Sequence, residues 1–401
     1  MFRFAFLLLI SFALSSQAVA KNWNNKSSSK ANEPSFSKFI YGEEIGKPGC
    51  FHHRDVPEDT AKRYAEFLSY EDAKKVVGFD WMDDHSKNST SLNVTHENIS
   101  KPSRHLFALS QTAAATSEDA LIQKAIQLAV ELAETETLLN TPSLNELKGS
   151  QCYDGNGNTK AYCAFHVVQF AAQFAGNYYV SLSFLLPYMT DNQKEIVISY
   201  SESLFEKFVR PINQSLQKNS EQFSQMANMS LAVLYYAYIT EDRKLAQKTF
   251  SKTFSNIDAV FLEDGYILGS SFRGVRGFWY HTYGTNGAMA VVHIANAWGV
   301  NIPQNIFAKV KKSSELINLG IADIDKFHER KSPTGKQKNA SYNPADARFH
   351  VHQLAIAIDQ LSQVTVGVDL NAEADKVYMQ KRKGEFPNDW TIGFNPQCVG
   401  S

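Results

Sequence analysis

Residues 262–283 read Leu-Glu-Asp-Gly-Tyr-Ile-Leu-Gly-Ser-Ser-Phe-Arg-Gly-Val-Arg-Gly-Phe-Trp-Tyr-His-Thr-Tyr, and hold four Gly, six aromatic residues and two Arg between two helical patterns. A plain linker does not require that composition. The guanidinium of Arg273 is a planar fork suited to an oxyanion, and the neighbouring phenol and imidazole of Tyr280 and His281 are groups that pass protons. Connections held by a rigid scaffold are where such sites tend to sit. The competing account is an aromatic-rich plug that closes the end of a helix bundle. Glu263 and Asp264 are adjacent, so they would not stand on opposite sides of a sugar as a glycosidase pair must.

Other chemistry-bearing residues are more scattered. His166 lies in the aromatic-rich segment 165–174, with Gln169, Gln173 and Asn177 at helical spacing on nearby faces, a pattern that fits either core packing or a second wall that reads sugar hydroxyls. His350 and His352 would diverge on a helix and have no carboxylates in ligand spacing. Asp154-Gly-Asn156-Gly-Asn158 begins like a calcium loop, but Thr159 stands where the sixth-position Gly belongs and Phe165 where the acidic twelfth belongs. Phosphate-binding Gly loops, a Ser nucleophile elbow and the usual zinc motifs are missing from the sequence. No metal and no cofactor are expected. Between Lys326 and Lys338 the cations Lys326, Arg330, Lys331, Lys336 and Lys338 face only Glu329, a local charge able to hold a polyanion.

The elements that position these residues follow from periodicity. Met-Phe-Arg precedes an apolar run, Phe4 to Ala13, and the triplet Ala18-Val19-Ala20, the pattern of a secretory signal peptide over residues 1–20. The run is too short for a hydrocarbon core, which needs about 20 residues. Export to the periplasm or the cell exterior is the expectation. Residues 21–40 read as a loose Asn/Ser/Lys-rich leader, and 41–401 as one domain with a polar loop at 83–105 that could act as a lid. Helices are expected at 117–139, 161–185, 191–209, 219–239, 243–258, 284–298, 303–320 and 344–364, with Ser117 as an N-cap and Thr190-x-x-Gln193 as a capping box. Antiparallel helix pairs around a common core are the natural arrangement, an all-α incomplete toroid or barrel. The net charge of −1 gives no field for steering nucleic acid. Cys50, Cys152, Cys163 and Cys398 permit three disulfide pairings, of which Cys152 with Cys163 and Cys50 with Cys398 is favoured by the short Gly/Asn-rich loop between the first two.

Asp264-Gly265-Tyr266, Arg273-Gly274 and Tyr280-His281, with Tyr283 after them and the helical stretch Met289 to Trp298 next, resemble the alginate lyase family, polysaccharide lyase family 5, at matching intervals. The similarity reaches upstream into Leu231-Ala232-Val233 and weakly downstream to Phe327 and Thr334-Gly335-Lys336-Gln337, roughly a third of the chain. It implies an incomplete (α/α) toroid and metal-free elimination at a uronate in an acidic polysaccharide. Arg273 would pair with the uronate carboxylate. Tyr280 would take the C5 proton and return one to O4, and His281 would orient Tyr280 or serve as its proton partner. Tyr283, Lys336, His166, Gln169 and Asn228 are the expected substrate contacts. The sequence departs from the family at its Asn-Asn-His, where gapless alignment puts Phe223, Ser224 and Gln225. Gln225 or Asn228 could donate a hydrogen bond to the carboxylate, but neither acts as a base near neutral pH. The related glucuronan lyases share the toroid and vary in these side chains. The resemblance implies cleavage of a β-1,4-linked polyuronate, mannuronan or glucuronan; the alternative is a polysaccharide-binding or export-associated toroid without turnover.

Overall fold

Two kinds of helix are written into the chain, some apolar on every side and some apolar along one stripe. The computed structural model describes residues 31–37, several positions between 103 and 113, 117–139, 161–217, 223–335, 359 and 361–370. In chain order the helices are α1 (Asp119–Glu134), α2 (Ala161–Leu185), α3 (Asp191–Leu204), α4 (Arg210–Leu216), α5 (Phe223–Ile239), α6 (Arg243–Val260), α7 (Gly277–Ala297), α8 (Gln304–Ala322) and α9 (Ile324–Glu329). The one β-type pairing among the described residues is an isolated bridge between Phe261 and Ile267.

Helices α2, α5 and α7 are the all-round apolar kind, and residues 171–185 and 226–235 are buried without a break. A helix with no polar face has to be enclosed on all sides. Small residues let these three pack closely: Gly176 of α2 meets Ala232 of α5, and Gly287 of α7 meets Ala227. Further along, Tyr179 packs on Tyr236 and Tyr238 stacks on Trp298. In both pairs the contacts advance in the same direction on each helix, so α2, α5 and α7 run parallel. Parallel neighbours need a return helix between them. Helix α6 makes that return between α5 and α7, and α1, α3 and α8 cover the outside. The one-sided burial of α6, through Ala246, Phe250, Phe254 and Ile257, suits that outer place. The described part of the chain is therefore an arc of an (α/α) toroid, with an inner layer of parallel helices and an outer layer of returns. No helix among the described residues is long and apolar enough to cross a membrane.

Local signals set several boundaries as read from the sequence. Thr190 and Gln193 form the capping box of α3, with Gln193 N–H donating to Thr190 Oγ1 at 3.3 Å and Thr190 N–H to Gln193 Oε1 at 2.9 Å. Others moved. Ser117 has φ of 54°, and the N-cap of α1 is Glu118, whose side chain makes no capping bond. The single helix expected over 191–209 ends in a π-helical turn, Phe205–Val209, followed by α4. Pro211 offers no N–H and its ring crowds the preceding turn, so a wider turn there relieves both problems. Helix α7 begins at Gly277, seven residues before its expected start, so Trp279, Tyr280, His281 and Tyr283 lie on a helix rather than in the connection.

The leader also differs from expectation where it is described. Residues 31–37 form a strap across the C-terminal ends of α5 and α7. Ser35 N–H donates to Trp298 O at 2.8 Å, Asn32 Nδ2 to Gly299 O at 3.0 Å, and Ala31 N–H to Ser251 Oγ at 3.0 Å. Phe36 inserts edge-on against Trp298, at 4.8 Å between ring centres, and against Tyr238 at 5.5 Å. One aromatic anchor, the backbone bonds of Ala31 and Ser35 and the side-chain bonds of Asn32 offset the ordering entropy of a polar segment. Residues 1–20, the 83–105 loop apart from Ser103, Cys50, Cys152, Cys398 and the side chain of Cys163 lie outside the described residues, and of 344–364 only 359 and 361–364 are described, all helical. Phe36→Ala is expected to lower the unfolding free energy by about 3–5 kcal/mol in urea titration, the usual cost of emptying a buried Phe site; a loss under ~1 kcal/mol would mean that the strap is not part of the cooperative core.

Candidate active site

The site is built where the loop after α6 runs into α7. Phe261 pairs with Ile267, Leu268 N–H donates to Val260 O at 2.9 Å, and the chain then turns back toward α7 through the 3-10 turn Gly274–Arg276. Gly277 opens the helix against this loop. A Cβ there would collide with the carbonyl oxygen of Ser271, so the first turn of α7 can approach only because the side chain is missing.

His281 holds the two together from within. It is completely buried. Ile267 N–H donates to Ser271 Oγ at 2.7 Å, Ser271 Oγ lies 3.0 Å from His281 Nδ1, and His281 Nε2 lies 2.9 Å from Ser313 O on α8. A carbonyl can only accept, so Nε2 carries the proton and Nδ1 accepts from the serine hydroxyl. Thr285 Oγ1 donates to His281 O at 2.8 Å and meets Ser313 Oγ at 2.7 Å. Burial pushes the imidazole pKa down to about 4, against a smaller opposing effect of the bond to Ser313. With both ring nitrogens engaged and no exposed surface, His281 is a positioning group and is out of reach of a substrate.

A second clamp lies on the outer side. Tyr266 donates from its hydroxyl to Phe327 O at 2.9 Å, and Arg330 Nε donates to Asp264 Oδ2 at 2.8 Å. Burial, and then the Asp264 charge, push the Tyr266 phenol up, which keeps it a donor. Arg330, one of the cations of the 326–338 stretch, is paired with Asp264 in an exposed ion pair.

Arg273 and Tyr280 are left facing outward. Successive residues on a helix point about 100° apart, so with His281 turned toward α8 Tyr280 points to a different side of the helix, half-buried. The Arg273 guanidinium carbon lies 3.9 Å from the centre of the Tyr280 ring, a close cation–π contact. Trp279 meets Tyr280 edge-on at 4.6 Å and stacks on Tyr283 at 5.7 Å. A cation, a phenol and two further aromatic faces thus converge within two helical turns. Asn228, on α5, is buried beside Gly287. His166 and Gln169 fall on α2 and Gln225 on the first turn of α5, but their side chains, and all of Lys336, lie outside the described residues. Sequence reasoning missed Ser271, Thr285 and Ser313. Ser313 is 32 residues from its partner, and a lone Ser on an amphipathic helix carries no local signal.

The two-layered helical arc defines the fold class, an (α/α) toroid. The family model for alginate lyase matches residues 53–308, more than half of the chain. The chain belongs to the alginate lyase family. Among solved structures it is similar to alginate lyase A1-III from Sphingomonas species A1, with 12% identity and a TM-score of 0.48 over 77% of this chain and 76% of that one. It is also similar to two variants of alginate lyase A1-III, each complexed with a tetrasaccharide. The Tyr-to-Phe variant gives 13% identity and a TM-score of 0.43 over 62% of this chain and 65% of that one. The His-to-Ala variant gives 14% and 0.42 over 59% and 60%. The chain thus spans less than two thirds of the length of each variant. No curated protein matches it in sequence.

The neutral state of His281 has a pH signature. Its pKa is 6.5 when unfolded and about 4 when folded, so its contribution is complete above 6.5. As pH falls from 6.5 toward 4 the unfolded chain binds a proton that the folded one refuses, and stability drops by about 3 kcal/mol across that window. Melting curves of the wild type and His281→Gln between pH 7 and 4 should show a shallower decline in the variant; parallel declines would remove His281 from the linkage.

Proposed function

We propose that the protein is a polyuronate lyase that cleaves a β-1,4-linked mannuronan or glucuronan by syn β-elimination, outside the cytoplasm, with Arg273 and Tyr280 as its reacting groups. The observation that carries this reading is the guanidinium of Arg273 stacked on the Tyr280 ring at 3.9 Å. The C5 proton of a uronate is a poor acid until the neighbouring carboxylate is neutralised, and a guanidinium fork does that with two parallel hydrogen bonds. Acting as a phenolate, Tyr280 then takes the C5 proton on its oxygen. The electron pair left on C5 forms the C4–C5 double bond, the C4–O4 bond breaks, and Tyr280 returns the proton to the departing O4. The new reducing end and the unsaturated uronate account for every atom.

Two features support one residue in both proton roles. His281, the neighbouring imidazole, is sealed in the interior, and the family's Asn-Asn-His is replaced by Phe223, Ser224 and Gln225. In D-mannuronate and D-glucuronate the C5 hydrogen and O4 lie on one face of the ring, where a single phenol reaches both. In L-guluronate they lie on opposite faces, which calls for a second group. The signal-peptide pattern at residues 1–20 supports export, and a polymeric acidic substrate suits that location.

Incubation with a panel of polyuronates, followed by ultraviolet absorbance of the conjugated product, tests the activity directly. Tyr280→Phe is expected to lose two to four powers of ten in rate while staying folded, the usual worth of a positioned acid/base group. Arg273→Ala should do comparable damage, with Arg273→Lys only partly restored for want of the planar fork; near-normal turnover in either Tyr280→Phe or Arg273→Ala would sink the mechanism. Mannuronan is expected to be cut in slight preference to glucuronan and guluronan hardly at all. Preferential cleavage of guluronan blocks would show that a second acid/base group is at work.

A further inference from the structure

Trp279 lies against the reacting pair and has no part in the proton transfers. Two residues of α7 mark what surrounds that helix: Gly277 meets the Ser271 carbonyl of the preceding loop, and His281 bonds Ser313 on α8. With about 100° between successive residues, Trp279 points roughly 160° away from both. Gly287, which packs on Ala227 of α5, lies about 80° to one side of it. The indole therefore stands on a side of α7 that the loop, α8 and α5 all leave uncovered, and it is partly exposed.

Its neighbours fix its orientation. Tyr283, one turn on, stacks against it with the ring planes 15° apart, and Tyr280 meets it edge-on at 72°. The Trp279 and Tyr280 ring centres are 4.6 Å apart, and Arg273 Cζ lies 3.9 Å from the Tyr280 ring. A ligand resting on the indole is thus beside the cation and the phenol. The indole N–H donates to no described residue.

Such a plate has a definite chemistry. An aromatic face carries negative charge, and the C–H bonds of a sugar are polarised the other way, so a pyranose lies on it by a side free of axial oxygen. In β-D-mannuronate and β-D-glucuronate the hydrogens on C1, C3 and C5 are axial on one side, which makes that side flat and apolar. In α-L-guluronate both sides carry an axial oxygen. The C5 hydrogen of the reacting ring has to stay open to Tyr280, so the ring on the plate is its neighbour.

We propose that Trp279 is the platform of a sugar subsite beside the bond that is cut, stacking on the C–H side of the adjoining uronate ring and donating its N–H to a hydroxyl. It selects mannuronate and glucuronate over guluronate by shape. The assignment rests on the polyuronate reading of Arg273 and Tyr280, and adds a source of specificity that is uncharged and separate from the placement of acid and base.

Calorimetry on the full chain carrying Tyr280→Phe tests this with three tetrasaccharides: β-1,4-mannuronate, its carboxyl-reduced neutral counterpart, and α-1,4-guluronate. Adding Trp279→Ala is expected to weaken the first two alike, by roughly fivefold to tenfold, the size of an aromatic contact, and to leave guluronate unchanged, so that the preference narrows. Trp279→Phe should lose less, because part of the face remains, and it decides the matter by the same comparison if Trp279→Ala does not fold. A loss confined to the charged ligand would tie the indole to the carboxylate and overturn the platform. Equal losses on mannuronate and guluronate would overturn selection by shape. Unchanged binding with a lowered kcat in the single variant Trp279→Ala would make the indole a prop for Tyr280, again overturning the platform. A Trp279-dependent loss of affinity in a protein whose wild type yields no unsaturated product would refute the lyase and keep the platform; wild-type turnover with binding indifferent to Trp279 would refute the platform alone.

Discussion

The structure depends on one imidazole that cannot afford a charge. His281 joins the Ile267–Ser271 turn, the first turns of α7 and the middle of α8 through its two ring nitrogens, one to Ser271 Oγ and one to Ser313 O. The direction of each bond follows from one acceptor: Ser313 O can only accept, so Nε2 holds the proton of the neutral ring and the Ser271 hydroxyl donates to Nδ1. A proton on Nδ1 would leave the serine hydrogen without that acceptor and place a charge in a dry interior. The neutral ring therefore fixes where the loop sits, and the loop fixes Arg273. Helical periodicity does the rest, because a residue adjacent to an inward-facing one on α7 must face elsewhere, and that residue is Tyr280.

Close packing of the inner layer is the second condition. Gly176 against Ala232 and Ala227 against Gly287 draw α2, α5 and α7 together on their shared flanks, and each then keeps a narrow strip for the inside of the arc. Larger residues at these four positions would push the helices apart and spread the strips. The outer helices need no such fit. They are held by single stripes and by long side chains such as Lys309, which bonds Asp258 Oδ1 at 3.0 Å and the Asp258 carbonyl at 2.8 Å.

Much of the helical layout was legible because apolar spacing is a local signal. The capping box at Thr190 is a case where a few residues decide the matter. The start of α7 was not legible in the same way: Gly274, Gly277 and a cluster of aromatic residues read as a loop, yet Phe278 and His281 are buried against Phe327 and α8, and tertiary packing outweighs the glycine penalty. Arg273 and Tyr280 could be singled out from residue type and interval. The relay through Ser313 could not, since nothing in the sequence announces which face of α8 will meet α7. Residues 31–37 misled for a similar reason: their composition is polar, and the one residue that anchors them, Phe36, finds its partners two hundred residues away.

That distance has a consequence for how the chain comes to be folded. The strap contacts Ser251, Trp298, Gly299 and Asn301, none of which exists until most of the polypeptide has been made. A chain that emerges from its N-terminus must therefore carry Phe36 without Trp298 until α7 has been made. Contacts of such long sequence separation close late, because the loop entropy has to be met before they return anything. The segment that precedes every described helix thus locks the ends of α5 and α7 only after both have been made.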